Sequence, residues 1–163
     1  VEINRAVLAA AAVIPIGGVL FHYFAGFTGG RKSIVPGVAS AATIAANHSL
    51  TIDPSHGRLH HAVEIGRLAG NPVAEDLAEA ASLLPVRSSV QTVVDGGGRI
   101  VGLFAGELGK SHEAACACAA EVFSCPFEAG ADVVIAGDDL DPLWQLLGQQ
   151  PPAGSPDCCV FPA

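Results

Sequence analysis

Between Val19 and Gly37 the chain keeps neither of the two periods from which regular structure is built. The run VLFHYFAGFTGGRKSIVPG carries four glycines and Pro36 among mixed polar and aromatic residues. No part of it can hold a 3.6-residue apolar stripe or a strict alternation for long. An extended loop is expected here, and a loop of this length inside a compact domain is one that carries function. Imidazole and basic groups gather in the same place: His22, Arg31 and Lys32 within the loop, and His48 shortly after it.

The rest of the chain has the composition of a packed domain. Its 163 residues are half apolar and 15% charged, enough for one domain with a sizeable core or one domain plus part of another. A net charge of −8 argues against nucleic acid as a partner, because no basic stripe is available to neutralise phosphates. The apolar run from Ala6 to Ile16 is too short to span a bilayer and ends at Pro15 and two glycines, so no membrane partner is expected. It also lacks the basic start and cleavage pattern of a signal peptide. There is no methionine, and the chain opens on VEINRAVLAAAA, so a fragment is expected, its native N-terminus lying upstream. Five cysteines, an odd number, fit reduced thiols and a cytoplasmic location better than a disulfide frame.

Along the chain, Glu2 to Ala11 reads as a helix with Ile3, Val7, Leu8 and Ala11 on one face, and Ala12 to Ile16 as a buried strand closed by Gly17-Gly18. Ser40 is the expected cap of a helix through Ala46, with Asn47 and His48 at its end. Thr51 to Gly70 is turn-rich. Asn71 then caps a helix with Pro72 at its first position, its apolar face formed by Val73, Leu77, Ala80 and Leu84. Ser89–Val94 and Arg99–Phe104 form a hairpin about Asp95-Gly96-Gly97-Gly98. Lys110–Phe123 is a further helix and Ala131–Ala136 a buried strand. Beyond Gly137 proline and turn formers dominate, as in a poorly ordered tail or the truncated start of another domain. This order of elements predicts a layered α/β or α+β fold.

Several residue groups invite chemistry. The glycine loop is not a P-loop, because Arg31 stands where a glycine must precede the lysine. Gly29, Gly30 and Arg31 could still hold an anion through backbone amides and charge. His48 reads either as a helix C-terminal cap or as a metal ligand. His22 is either a hydrogen-bonded core imidazole or a proton-transfer group. Lys32 is either a solvated charge or, among apolar and cationic neighbours such as Arg31, a nucleophilic amine. His56, His60 and His61 read as surface histidines, without carboxylates at fixed offsets. Cys116 and Cys118 point to different helix faces, and all five cysteines read as structural or incidental.

The block HYFAGFTGGRKSIVPGVAS, with TIAANHSL and GNPVAEDLAEAA after it, resembles the nickel-pincer lactate racemase family. The likeness starts at VEINR and VIPIGG and runs through RIVGLFAGELGKSHEAA to ADVVIAG, so it covers roughly residues 1 to 137. The resemblance implies an α/β N-terminal domain portion of a two-domain racemase. Residues 1–130 would be part of the catalytic, cofactor-binding domain, and 131–163 a truncated second domain or a tail. It implies a racemase or epimerase of small 2-hydroxy acids, nickel-dependent, working by hydride transfer to a covalently bound nickel-pincer nucleotide. His22 takes the place of the catalytic acid/base, Lys32 that of the covalent anchor, and His48 that of the nickel ligand, with spacings of ten and sixteen residues. Phe24 and Pro36 become walls against the cofactor ring, and Gly29, Gly30 and Arg31 complete its loop. The implied partners are the hydroxy acid and the enzymes that make the cofactor.

The residue types suit those tasks. An imidazole titrates near operating pH, a lysine amine can form a permanent covalent bond, and a neutral imidazole suits nickel. The chain also departs from the family pattern. A second acid/base histidine and a substrate arginine are expected upstream of Val1. After Gly137 the sequence Asp138-Asp139-Leu140-Asp141-Pro142-Leu143 keeps only Pro-Leu of the family's next motif, and Gln145, Gln149 and Gln150 receive no role. The alternative is a catalytically incomplete domain that binds the cofactor or a nucleotide or phosphate, so this segment alone is expected to be inactive.

Overall fold

The computed structural model describes residues 1–124 and two short strands, 133–136 and 158–161. The chain divides into two compact units, Val1–Ser124 and Cys125–Ala163. In the first, β1 (Ile16–Gly18), β6 (Ser89–Val94) and β7 (Ile100–Gly106) form a three-stranded sheet with β6 in the centre. β1 runs parallel to β6, pairing Gly17 with Gln91, and β7 returns antiparallel through the expected Gly-rich hairpin. Helix α4 (Leu108–Phe123) packs on β6 and β7. Strand β6 alternates buried and half-buried residues, placing Ser89, Gln91 and Val93 on its inner face. The mixed sheet with helices packed on it is an α/β architecture.

Helix α3 (Pro72–Ser82) starts where the sequence marks it. Asn71 Oδ1 accepts from the Val73 and Ala74 amides at 3.1 and 3.4 Å, and Pro72 takes the first position, where no donor is needed. Val73, Leu77, Ala80 and Leu84 are all buried, joined by Phe24, Ile34 and Leu108 in the main core. A second apolar cluster, with Val19, Phe27, Val93 and Ala115, lies under α4. Helix α2 (Ala41–Ser49) is capped by Ser40, whose side chain accepts from Thr43 N at 3.1 Å. It runs three residues further than expected and includes His48.

The N-terminal expectations are corrected. The helix is only α1 (Arg5–Leu8), capped by Asn4. Residues 2–4 are instead drawn into pairing with 38–40, through Asn4 N to Val38 O and Ser40 N to Glu2 O. This tertiary pairing overrides the local helical pattern. The strand expected at Ala12–Ile16 is displaced to Ile16–Gly18, with only a single bridge at Val13, and Ile14 and Ile16 are exposed rather than buried. Gly17 and Gly18 lie within the strand. The segment read as a loop holds a small hairpin, β2 (Phe21–His22) with β3 (Gly26–Phe27), and a 3-10 turn at Gly30–Ser33. The turn-rich stretch likewise contains a minimal hairpin, β4 (Ile52–Asp53) with β5 (Arg58–Leu59).

In the second unit, β8 (Val133–Ala136) pairs antiparallel with β9 (Cys158–Phe161). The strand expected at Ala131–Ala136 is described over Val133–Ala136, and the stretch read as a tail or as the truncated start of another domain contributes β9. The domain boundary expected at residue 130, the Asp138–Leu143 departure, Cys125 and the three glutamines lie outside the described residues. Among the described residues no helix is long and apolar enough to cross a membrane.

Asn71 also donates to the Phe24 carbonyl at 2.9 Å and to Arg67 O at 3.1 Å, and it is fully buried. Asn71→Ala should therefore lower stability by about 2–3 kcal/mol in urea unfolding, since the helix loses its cap and a buried carbonyl its donor. Asn71→Ser should recover the cap's share only. A midpoint unchanged in both variants would contradict this.

Candidate functional site

The β2–β3 hairpin turns through Tyr23, Phe24 and Ala25. Gly26 closes the turn at φ +76°, and a Cβ there would lie only 2.2 Å from Arg67 O, so no larger residue fits. The turn drives the Phe24 ring into the main core, where it is 9% exposed. His22, at the end of β2, meets that ring edge-on at 4.5 Å between centroids. His48 meets it edge-on at 4.8 Å from α2. Lys32, on the 3-10 turn, holds its Nζ over the ring at 5.4 Å from the centroid, within cation–π range. Thus His22, Lys32 and His48 converge from three separate elements on the Phe24 ring.

Each arm has a physical support. Asn71 fixes the Phe24 carbonyl. Asn47, buried in α2 beside His48, donates to Val73 O at 3.2 Å and to Asp76 Oδ2 at 2.8 Å, pinning α2 against α3. His22 Nδ1 accepts long bonds from the Phe24 and Ala25 amides, at 3.4 and 3.2 Å, and the exposed Tyr23 ring stacks on the imidazole at 4.7 Å. Burial is the main reason that His22 titrates below its ordinary value, and the nearby Lys32 and His48 push in the same direction. Burial also lowers Lys32 from the ordinary lysine value. Of the apolar and cationic neighbours expected to cause that depression, only burial among the former contributes, and Arg31 does not.

The remaining loop residues face elsewhere. Arg31 turns to α4, 3.9 Å from Glu113, and lines a surface groove with Arg87 and Glu107. A Cβ on Gly29 would approach Val19, Gln91 and Gly18 within 3 Å, and one on Gly30 would lie 2.5 Å from the His112 ring. The glycines therefore serve close packing. Gly30 N already donates to Gln91 Oε1 at 2.8 Å, which removes it from the expected anion cradle. Pro36 lies in the turn after the 3-10 segment, half-buried, its carbonyl accepting from Ala39 N.

His56 is exposed and paired at 2.6 Å with Asp53, a carboxylate that sequence reading overlooked. His60 and His61 stack on each other in the same surface stretch. Cys116 is buried, its thiol pushed up to about 12 by desolvation, and is inert at neutral pH. Sequence reading also missed Asn47, Gln91 and His112 as supports. Their signal was present but faint: a polar residue at an inward position of a strand or helix.

Among the described residues no three His, Cys, Asp or Glu side chains are grouped to hold a metal ion. A metal at the Phe24 cluster would meet imidazole and amine donors only, and a bound organic group would have to bring further donors. Lys32 supplies the amine that could tether such a group. The donor set therefore fits a metal-bearing organic cofactor better than a bare ion.

The sequence model of the lactate racemase N-terminal domain matches residues 1–58. The chain is 36% identical over 149 residues to the lactate racemase of Thermoanaerobacterium thermosaccharolyticum, covering 91% of this chain and 33% of the relative. It is 34% identical over 147 residues to the lactate racemase of Lactiplantibacillus plantarum, covering 90% and 33%. The solved lactate racemase apoprotein from T. thermosaccharolyticum superposes with a TM-score of 0.66 at 34% identity, over 74% of this chain and 28% of that one. A Thermotoga maritima protein shares the fold at a TM-score of 0.55 and 20% identity, over 74% and 30%. The chain spans about a third of the length of the curated relatives it matches. By the domain model, by these identities and by its fold, the chain is similar to lactate racemases over the N-terminal part of those proteins.

Proposed function

We propose that this chain is the cofactor-holding part of a racemase or epimerase of small 2-hydroxy acids, with Lys32 as covalent anchor, His48 as nickel ligand and His22 as acid/base. The observation that carries this reading is the convergence of those three side chains on the Phe24 ring. One solved relative is a lactate racemase apoprotein, the protein part of an enzyme that takes a further group. The group proposed here is a nickel-pincer nucleotide, made by separate maturation enzymes. When bound, it supplies a nickel-bearing ring that can take the substrate's carbon-bound hydrogen as hydride.

The chain's own residues supply the rest. Lys32 is held half-buried with a depressed amine pKa, so more of it is neutral and able to form the covalent bond. Phe24 gives a flat apolar wall beside that amine. His22, shifted downward, is mainly neutral near neutral pH and can move the substrate's hydroxyl proton at Nε2. A ring that receives a proton at Nε2 must carry its other hydrogen on Nδ1. The base form therefore gives up the two long amide contacts, which at 3.2 and 3.4 Å are weak.

Protein co-produced with the cofactor-making enzymes should show an intact-mass adduct that maps to Lys32 and disappears in Lys32→Ala. An unmodified Lys32 under those conditions would refute the anchor. His48→Ala should keep the organic adduct but lose most bound nickel by elemental analysis, and full retention would remove its ligand role. In cofactor-free protein, the His22 midpoint followed by NMR should lie below the ordinary imidazole value. Lys32→Ala should raise it, because one of its cationic neighbours is gone. A midpoint indifferent to Lys32 would mean that the two groups do not share a site.

A further inference from the structure

Two buried polar side chains have no part in that chemistry: Gln91, in the central strand β6 and 0% exposed, and His112, in α4 and 2% exposed. Both meet the glycine turn that carries Lys32. Gln91 Oε1 accepts from Gly30 N at 2.8 Å. The His112 ring lies so close to Gly30 that a single added methyl would collide with it at 2.5 Å. His112 Nε2 lies 2.9 Å from the Thr28 carbonyl, which can only accept, so Nε2 carries the hydrogen and the neutral ring leaves Nδ1 as a lone pair.

The core retains both groups at a cost, since Gln91 Nε2 and His112 Nδ1 are buried without a partner. Apolar residues of similar size would avoid that cost, but they could not hold the turn at Thr28 and Gly30. The turn transmits its geometry directly, since Lys32 N donates to Gly29 O at 2.9 Å. His112, Gly29 and Lys32 also line one small pocket with Leu77 and Arg31.

We propose that Gln91 and His112 are positioning residues for Lys32: from the sheet and from α4 they fix the Thr28–Gly30 backbone, and so set the amine over the Phe24 ring. The inference rests on Lys32 being the reactive anchor, but its test does not require the cofactor. Lys32 and the exposed Lys110 are the only lysines in the chain, so each protein carries its own reference. Trace acetylation with acetic anhydride near neutral pH, read by peptide mass spectrometry, gives the Lys32 to Lys110 labelling ratio.

Gln91→Met and His112→Phe keep the volume but remove the contacts to Gly30 and Thr28. Both should change that ratio severalfold, downward, as the amine leaves its half-buried place. His112→Gln, whose amide nitrogen can reach the position of Nε2, should restore most of it. Should the apolar variants fail to fold, His112→Asn replaces them, because its shorter amide reaches only the Nδ1 position. The ratio should then fall in Asn and hold in Gln. Ratios equal to wild type in the apolar variants, or equal in Asn and Gln, would overturn the proposal. A cofactor adduct absent from wild-type Lys32 would instead sink the functional reading and leave the labelling result standing.

Discussion

The join between α3 and the Phe24 turn, on which the candidate site is built, hangs on Asn71. One fully buried amide closes the N-terminus of α3 with its oxygen and ties down the Phe24 and Arg67 carbonyls with its nitrogen. A helix end without a cap leaves orphan donors, and a buried carbonyl without a donor is costly. Asn71 meets both needs with one side chain. The Phe24 turn is thereby fixed to the N-terminus of α3. Asn47 extends the same logic from α2, bonding the first turn of α3 and carrying His48 beside it. The Phe24 turn and the helix that carries the proposed ligand His48 are thus positioned by two asparagines.

The electrostatics of the cluster follow from its composition. It gathers one amine and two imidazoles about an aromatic ring, partly out of water. Desolvation disfavours the charged forms of His22 and Lys32, and for His22 the neighbouring Lys32 and His48 add to the effect. Such a site favours lone pairs over positive charge. Lone pairs are what covalent attachment, metal ligation and proton acceptance all require. Phe24 contributes twice, by excluding water and by offering the face of its π-system to whatever fraction of Lys32 stays charged.

Much of the fold was legible where local chemistry decides it. The Asn71-Pro72 start of α3, the Ser40 cap and the Asp95–Gly98 hairpin each carry their signal within a few residues, and each falls where the sequence marks it. The N-terminal segment was illegible because residues 2–4 pair with residues 38–40, and no local period reports a partner that far away. The β2–β3 hairpin was hidden by its size, since two residues per strand cannot establish an alternation. At the site, residue types and a family likeness picked out the members of the Phe24 cluster. The supports were missed because Asn47, Gln91 and His112 look like ordinary polar residues until the structure shows them buried.

The glycine pair shows why a motif needs its geometry. By sequence, Gly29-Gly30-Arg31-Lys32 could be a cradle for an anion, with both basic side chains turned to the ligand. Neighbouring residues of a 3-10 turn point about a third of a revolution apart, so two adjacent side chains leave the backbone in different directions. Lys32 faces Phe24, whereas Arg31 faces α4 and Glu113. The glycines sit on the third side, where β6 and α4 press too closely for any Cβ, and the Gly30 amide is already bound to Gln91. A loop that would otherwise collect charge is thus split three ways. The permanent guanidinium goes outward to a partly exposed ion pair, the backbone goes down into the core, and the titratable amine alone is left beside the imidazoles. That separation leaves Lys32 governed by burial rather than by its neighbour's charge, a condition that holds only while the turn keeps its place on Gln91 and His112.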